Sequence, residues 1–265
     1  MYQFNYHKPT TLDEAAAQFR DSDDPIYLSG GMTLIPTMKQ RLAAPTDVID
    51  LQAVEGLTGI SASGGVVSVG AFTRHAEVAA SPDVVEAIPA LAALAAGIGD
   101  KQVRNRGTIG GSIANSDPSA DYPAAVVALG ATVHTTSRAI SGESYFHDLF
   151  ETSLQPGEIV TRIDFPVPAR AAYQKFPNPA SRYAVVGVMV ADFGGVIRVG
   201  VTGAGPCAFR ASGIEEVLNA NLTPDAVDAV EVPDAGFNSD LHASAAYRAH
   251  LVKVMARRAV ATMLG

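Results

Sequence analysis

Four Gly-Gly pairs, at 30–31, 64–65, 110–111 and 194–195, punctuate this 265-residue chain and fix where its backbone turns or is closely approached. Glycine reaches φ > 0 without a Cβ penalty and lets other groups come against its backbone. Two pairs sit between short β-branched runs. Ile60–Ser63 and Val66–Val69 flank Gly64-Gly65, and Ala184–Ala191 and Val196–Val201 flank Gly194-Gly195. Both read as β-hairpins. The other two pairs stand at junctions of another kind. In 27-YLSGGMTLIPTMKQRL-42, the buried-strand candidate Pro25–Leu28 leads into Ser29-Gly30-Gly31-Met32-Thr33. From Thr33, the apolar Leu34, Ile35, Met38 and Leu42 fit one face of a helix, with Pro36 tolerated in its first turn. Thr46–Leu51 reads as the next strand, which makes a small βαβ unit.

The last pair lies in 101-KQVRNRGTIGGSIANSDPSADYPAAVVAL-129. Thr108-Ile109-Gly110-Gly111-Ser112 reads as a small-residue loop whose amides can approach an anion. The turn formers Asn115 to Ser119 follow, then a helical run from Asp121 through Ala124, Val127 and Ala128. Asp121 suits a helix cap, or an acceptor for ribose or ribityl hydroxyls. Two readings of these loops stand side by side. They are ordinary turns, or a bipartite cradle in which two sets of amides share a diphosphate, with Lys101, Arg104 and Arg106 as nearby cations. Neither loop is GxGxxG, which disfavours a Rossmann nicotinamide site.

Elsewhere, Thr10-Thr11 caps a first helix, and Ser81-Pro82 opens a helix carrying Val84, Val85, Ile88, Leu91, Leu94 and Ala95. Val126–Thr136 and Ile159–Phe165 are strand candidates, and helices are expected around 211–220 and 243–264. Pro166 and Pro168 mark a boundary. The expectation is an α+β protein with a two-part first domain, 1–168, made of a βαβ subdomain (1–55) and a mixed, antiparallel subdomain (56–168). A C-terminal domain, 169–265, of antiparallel sheet packed with helices follows.

A net charge of −8 argues against nucleic-acid binding, which needs a cationic face. Cys207 is the only cysteine, so neither a disulfide framework nor a four-cysteine cluster can come from this chain alone. The six histidines lack ligand spacing, so no protein-held metal is expected. The first residues have no signal-peptide pattern and no apolar run is long enough to span a bilayer, which suggests a cytoplasmic protein, free or associated with the inner face of the membrane.

The two glycine loops, in this order and separation, together with Asn115-x-Asp117-Pro118-x-x-Asp121-x-Pro123-Ala124, resemble the FAD-binding medium subunit of the molybdenum hydroxylases, the carbon monoxide dehydrogenase and xanthine dehydrogenase family. Asn178-Pro-Ala-Ser-Arg-Tyr183-Ala-Val-Val-Gly187 resembles the C-terminal domain of the same subunit. The resemblance implies that Ser29, Gly30, Gly31, Met32 and Thr33 wrap the FAD diphosphate, and that Thr108, Ile109, Gly110, Gly111 and Ser112 hold it from the other side. It further implies that Asp121 binds hydroxyls of the linker, Ile98 touches the adenine, Lys175 lies near the flavin's polar edge and Tyr183 covers the isoalloxazine. Two departures stand out: Met32 where the family commonly has histidine, and Ser181-Arg182 where many members carry Gly-Asp. The implied protein is an oxidoreductase subunit with non-covalent FAD and no catalytic acid–base pair of its own. Molybdopterin and 2Fe-2S clusters would reside on a large and a small partner subunit, in a dimer of heterotrimers. The FAD would pass electrons on to quinone, NAD or oxygen. A self-contained small FAD oxidoreductase and a cofactor-free assembly subunit are the alternative readings.

Overall fold

The computed structural model describes all 265 residues. Its first unit is a parallel three-stranded sheet in the order β1-β3-β2, with β1 at Asn5–His7, β2 at Pro25–Leu28 and β3 at Asp47–Asp50. Helix α1, Leu12–Arg20, precedes β2, and α2, Leu34–Lys39, joins β2 to β3. Thr11 caps α1 by accepting the Glu14 amide at 3.2 Å, while the Glu14 carboxylate takes the Thr10 amide at 2.7 Å. The expected βαβ unit is present, with two differences. β2 is half-buried along its length rather than buried. The helix after it is only six residues long, so Leu42 lies beyond its end and is 76% exposed.

The second unit is an antiparallel five-stranded sheet, β4-β5-β10-β6-β7: β4 is Ile60–Ser63, β5 Val66–Gly70, β6 Thr132–Thr135, β7 Ala139–Ser141 and β10 Val160–Pro166. Gly64 and Gly65 turn the first hairpin with φ of +57° and +77°, the two positive values its tight turn demands. Six helices accompany this sheet: α3 His75–Ala80, α4 Pro82–Ala87, α5 Pro89–Ala96, α6 Lys101–Arg104, α7 Ile109–Asn115 and α8 Tyr122–Ala128. The single helix expected over 82–95 is two, because Ile88 leaves the helical region before Pro89, whose ring disfavours α geometry in the residue ahead of it. The strand expected over 126–136 is also corrected. Val126–Ala128 finish α8, Gly130 turns the chain at φ +62°, and only Thr132–Thr135 is extended. A small hairpin, β8 Phe146–Asp148 with β9 Glu151–Thr152, stands apart from both larger sheets.

The third unit is an antiparallel sheet in the order β11-β12-β13-β14: Arg170–Pro177, Ala184–Asp192, Ile197–Thr202 and Phe209–Arg210. Every residue of β12 is buried, and its sequence AVVGVMVAD is apolar without alternation up to the closing Asp192. The reason is that both faces are covered. Val186, Val188 and Val190 pack with α10, Ala245–Leu264, while Met189 and Ala191 join the core of the second unit. The expected helices appear as α9, Ser212–Ala220, and α10. At Gly200 on β13 the seam is tightest, since a Cβ there would fall onto the Ala124 carbonyl of α8. No helix is long and apolar enough to cross a membrane.

Candidate functional site

The first glycine turn presents an uncommon set of donors. Gly31 takes φ +72°, and α2 starts two residues after Met32. The Gly31 carbonyl accepts the Ile35 amide at 3.1 Å. The amides of Gly30, Gly31, Met32, Thr33 and Leu34 donate to no group in the chain. Five successive free N–H groups in a partly exposed turn form the kind of concavity that binds an anion. Only the last of them belong to a helix start, where unpaired amides are general. Since α2 is six residues long, its dipole adds little to theirs.

The second turn differs from the sequence reading. Thr108–Ser112 is not a loop; Thr108 is the N-cap of α7, and Gly110 and Gly111 lie in that helix's first turn. Its amides are already engaged: Ile109 donates to the Thr73 carbonyl at 3.1 Å, Gly110 to that of Ala71 at 2.8 Å, Gly111 to the Thr108 hydroxyl at 3.1 Å and Ser112 to the Thr108 carbonyl at 3.0 Å. The anion-binding capacity is therefore lopsided. The first turn supplies free amides, and the second supplies a wall. The two turns do meet. Ser29 Oγ and Thr108 Oγ1 are 2.7 Å apart, Gly111 faces Ser29, and a Cβ on Gly30 would land on the Arg106 carbonyl. Gly110 sits just as tightly on Ala71, where a Cβ would come within 2.6 Å of the backbone oxygen. Below this junction, His75 Nε2 would be 2.6 Å from a Cβ on Gly107, and the His75 amide donates to the Gly107 carbonyl at 3.0 Å. Burial, reinforced by the Arg104 guanidinium, holds the His75 imidazole down at about 4, so it is neutral at ordinary pH.

Asp121, Lys175 and Tyr183 also cluster, though not as freely disposed ligands. Asp121 makes no side-chain cap to α8. Its Oδ1 accepts the Tyr173 hydroxyl at 2.6 Å and pairs with Lys175 Nζ at 2.9 Å. Burial pushes the Asp121 carboxyl up, against the pull of the Lys175 charge and the Tyr173 hydroxyl. Lys175 donates in addition to the carbonyls of Gly97 and Arg182, each at 2.9 Å. Its three N–H bonds are thus spent on the protein, and its side chain is 11% exposed. Instead of offering a free cation, Lys175 ties together β11, the end of α5, the start of α8 and the segment 178–183.

Tyr183, half-exposed, stands just before β12 rather than in it. Partial burial, then the Asp117 and Asp121 carboxylates, hold its phenol above the usual range. The segment that carries it is closed by Asn178, whose amide donates to the Tyr183 carbonyl at 2.8 Å and whose side-chain oxygen accepts the Ala180 amide at 2.9 Å. Arg182 sits there in the left-handed region at φ +62°, directly ahead of the aromatic ring. Ile98 is half-buried against the core of the second unit, and its carbonyl accepts Arg104 Nη1 at 2.8 Å. The segment after α7 is pinned to the third sheet: Thr202 Oγ1 donates to the carbonyls of Pro118 at 3.0 Å and Ala120 at 2.7 Å.

Sequence reasoning missed Tyr173, Gly97 and Gly187. The alternation that puts Tyr173 and Lys175 on one face of β11 was available as a signal. Gly187 leaves the room that the Tyr173 hydroxyl occupies.

Residues 2–168 match a family model described as the FAD binding domain in molybdopterin dehydrogenase. Among curated proteins, the nicotine 6-hydroxylase medium subunit of Paenarthrobacter nicotinovorans is 34% identical over 269 residues, 96% of this chain and 95% of that one. The carbon monoxide dehydrogenase medium chain of Afipia carboxidovorans is 34% identical over 274 residues, 97% of this chain and 95% of that one. A solved structure of reconstituted CO dehydrogenase from Oligotropha carboxidovorans superposes with a TM-score of 0.92 at 33% identity, covering 99% of this chain and 98% of that one.

Proposed function

Because this chain belongs to the family of FAD-binding medium subunits of molybdopterin dehydrogenases, we propose that it relays electrons from a partner's iron–sulfur clusters to an external acceptor, quinone, NAD or oxygen. The observation that carries the reading at the level of residues is the run of five unpaired amides from Gly30 to Leu34, placed against Thr108 by a hydroxyl bridge. These amides would hold the FAD diphosphate without a covalent link, and Ser29, Thr108 and Gly111 would form the opposite wall. Backbone donors suffice for that task, so Met32 in place of a histidine removes at most a side-chain contact. When bound, the flavin supplies the redox chemistry, and the protein supplies binding, orientation and electrostatics.

The remaining residues divide into ligands and supports. Ile98 and Tyr183 offer partly exposed apolar surface to the adenine and the isoalloxazine ring. Asp121 and Lys175 act by holding those surfaces in place, since their polar atoms are bonded to Tyr173, Gly97, Arg182 and each other. Residues 1–168 form the FAD-binding domain in this reading and 169–265 a C-terminal domain that supplies Tyr183. Partner chains, a small iron–sulfur and a large molybdenum-binding subunit in a dimer of heterotrimers, would hold the other cofactors in a cytoplasmic assembly. Titration of the purified chain, with whatever subunits accompany it, with FAD should give saturable quenching of flavin fluorescence at one FAD per chain. An absence of saturable binding refutes the proposal.

A further inference from the structure

The β8–β9 hairpin ends in Leu149 and Phe150, two adjacent large apolar side chains that are 54% and 57% exposed. Phe150 holds φ +56°, and it is the only aromatic among the four non-glycine residues with positive φ. A bulky residue there is a genuine outlier, because its Cβ crowds the following carbonyl oxygen. Burial does not offset that strain within the chain, since the ring faces solvent. Asparagine or glycine would turn this hairpin more easily and more solubly. A strained, exposed aromatic kept at a hairpin tip points to contact with something outside the chain.

Two features say what that something is. The tip is shouldered by the exposed carboxylates of Asp148 and Glu151, on a chain of net charge −8. Acidic shoulders repel an anionic lipid surface, and they repel a second copy of the same tip. They suit a protein pocket with an apolar floor and a basic rim. The hairpin also leans on the candidate cofactor site. Ser116 Oγ donates to the Glu151 carbonyl at 3.4 Å, and Ser116 precedes the Asp117–Asp121 segment that faces Tyr183. A subunit delivering electrons to a flavin held there must dock close by.

We propose that the Leu149–Phe150 tip is the anchor by which this chain docks its iron–sulfur partner subunit, with Asp148 and Glu151 meeting basic residues on the partner. The proposal rests on the flavoprotein reading above. Its test uses the full chain, tagged and purified from its host with its complex, and reads iron and flavin per chain. Phe150→Gly should leave the isolated chain as stable as wild type or more so, because glycine accepts φ +56° freely. It should nevertheless lower cluster iron per chain at least tenfold after dilution, as loss of an aromatic interface anchor does. Asp148→Lys with Glu151→Lys should weaken association at low salt and much less at high salt. Wild-type iron content, within twofold, in Phe150→Gly overturns the proposal while leaving FAD binding intact. So does self-association, or co-sedimentation with phosphatidylserine vesicles, that Phe150→Gly abolishes. A wild-type chain that binds flavin but carries no iron also overturns it. One that carries neither overturns the function as well.

Discussion

Lys175→Met should expose the role of the buried pair most sharply. The substitution keeps the length of the side chain and removes three donated bonds, one to a carboxylate that is 3% exposed and two to carbonyls. Asp121 is left with the Tyr173 hydroxyl as its remaining side-chain donor. Removing one partner of a buried pair typically costs about 3–5 kcal/mol, chiefly through the uncompensated charge. Asp121→Asn removes that charge in advance, so Lys175→Met on top of it should cost only the two carbonyl bonds, about 1–2 kcal/mol. The double-mutant cycle should therefore return a coupling of about 2 kcal/mol. The effect also depends on pH. The Asp121 carboxyl is already raised by burial, and loss of Lys175 raises it further. A carboxyl raised above its unfolded value stabilises below that value, roughly pH 4, and the stability is lost as pH rises through the folded one. The Lys175→Met penalty should thus be small near pH 4 and full at pH 8. Urea unfolding of the four proteins at several pH values measures all of this. Additivity within about 0.5 kcal/mol, or a penalty independent of pH, refutes the reasoning.

Three further outcomes are expected. Gly30→Ala should weaken FAD binding at least tenfold, because the new methyl displaces the Arg106 carbonyl and parts the two turns; Gly111→Ala, whose Cβ crowds the Thr108 hydroxyl at 2.9 Å and meets Ser29 only at ordinary contact distance, should do less, and fluorescence titration compares them. Arg182→Gly should raise the melting temperature by roughly 2–4 °C, the release of about 1 kcal/mol of left-handed strain, as read by calorimetry. His75, lowered to about 4 by burial and Arg104, gives stability that is present above the unfolded value near 6.5 and lost as pH falls through 4. In His75→Phe the stability difference between pH 7 and pH 4 should shrink by about 3 kcal/mol, which denaturant titration at the two pH values would detect.

Much of the architecture is legible because local chemistry dictates it. Gly64-Gly65 and Gly194-Gly195 turn hairpins, and Thr11, Ser81 and Pro82 start helices where the capping rules put them. The family could be recognised from the two glycine turns and the Asn115–Ala124 run, and residues 2–168 do match its FAD-binding domain. What escaped was set by distant contacts. Val126–Thr136 is apolar enough for either a strand or a helix, and burial of α8 beneath the third sheet decides between them. Thr108 reads as loop because two glycines in a first turn weaken the helical signal, yet it caps α7. The engagement of Lys175 with Asp121 joins residues 54 apart in sequence, and no local pattern announces it.

The contact of Gly200 with the backbone of α8 bears on how a long ligand could get in and out. There the third sheet touches helix main chain with no side chain between them, and Arg198 clasps the same helix end through the Val127 and Ala128 carbonyls at 2.9 Å each. Surfaces mated in this way have no slack for hinging. A dinucleotide held as proposed would therefore exchange through rearrangement of short rim segments, chiefly 178–183, while the two halves of the molecule stay locked. Its release should be slow and insensitive to anything that acts on the seam alone.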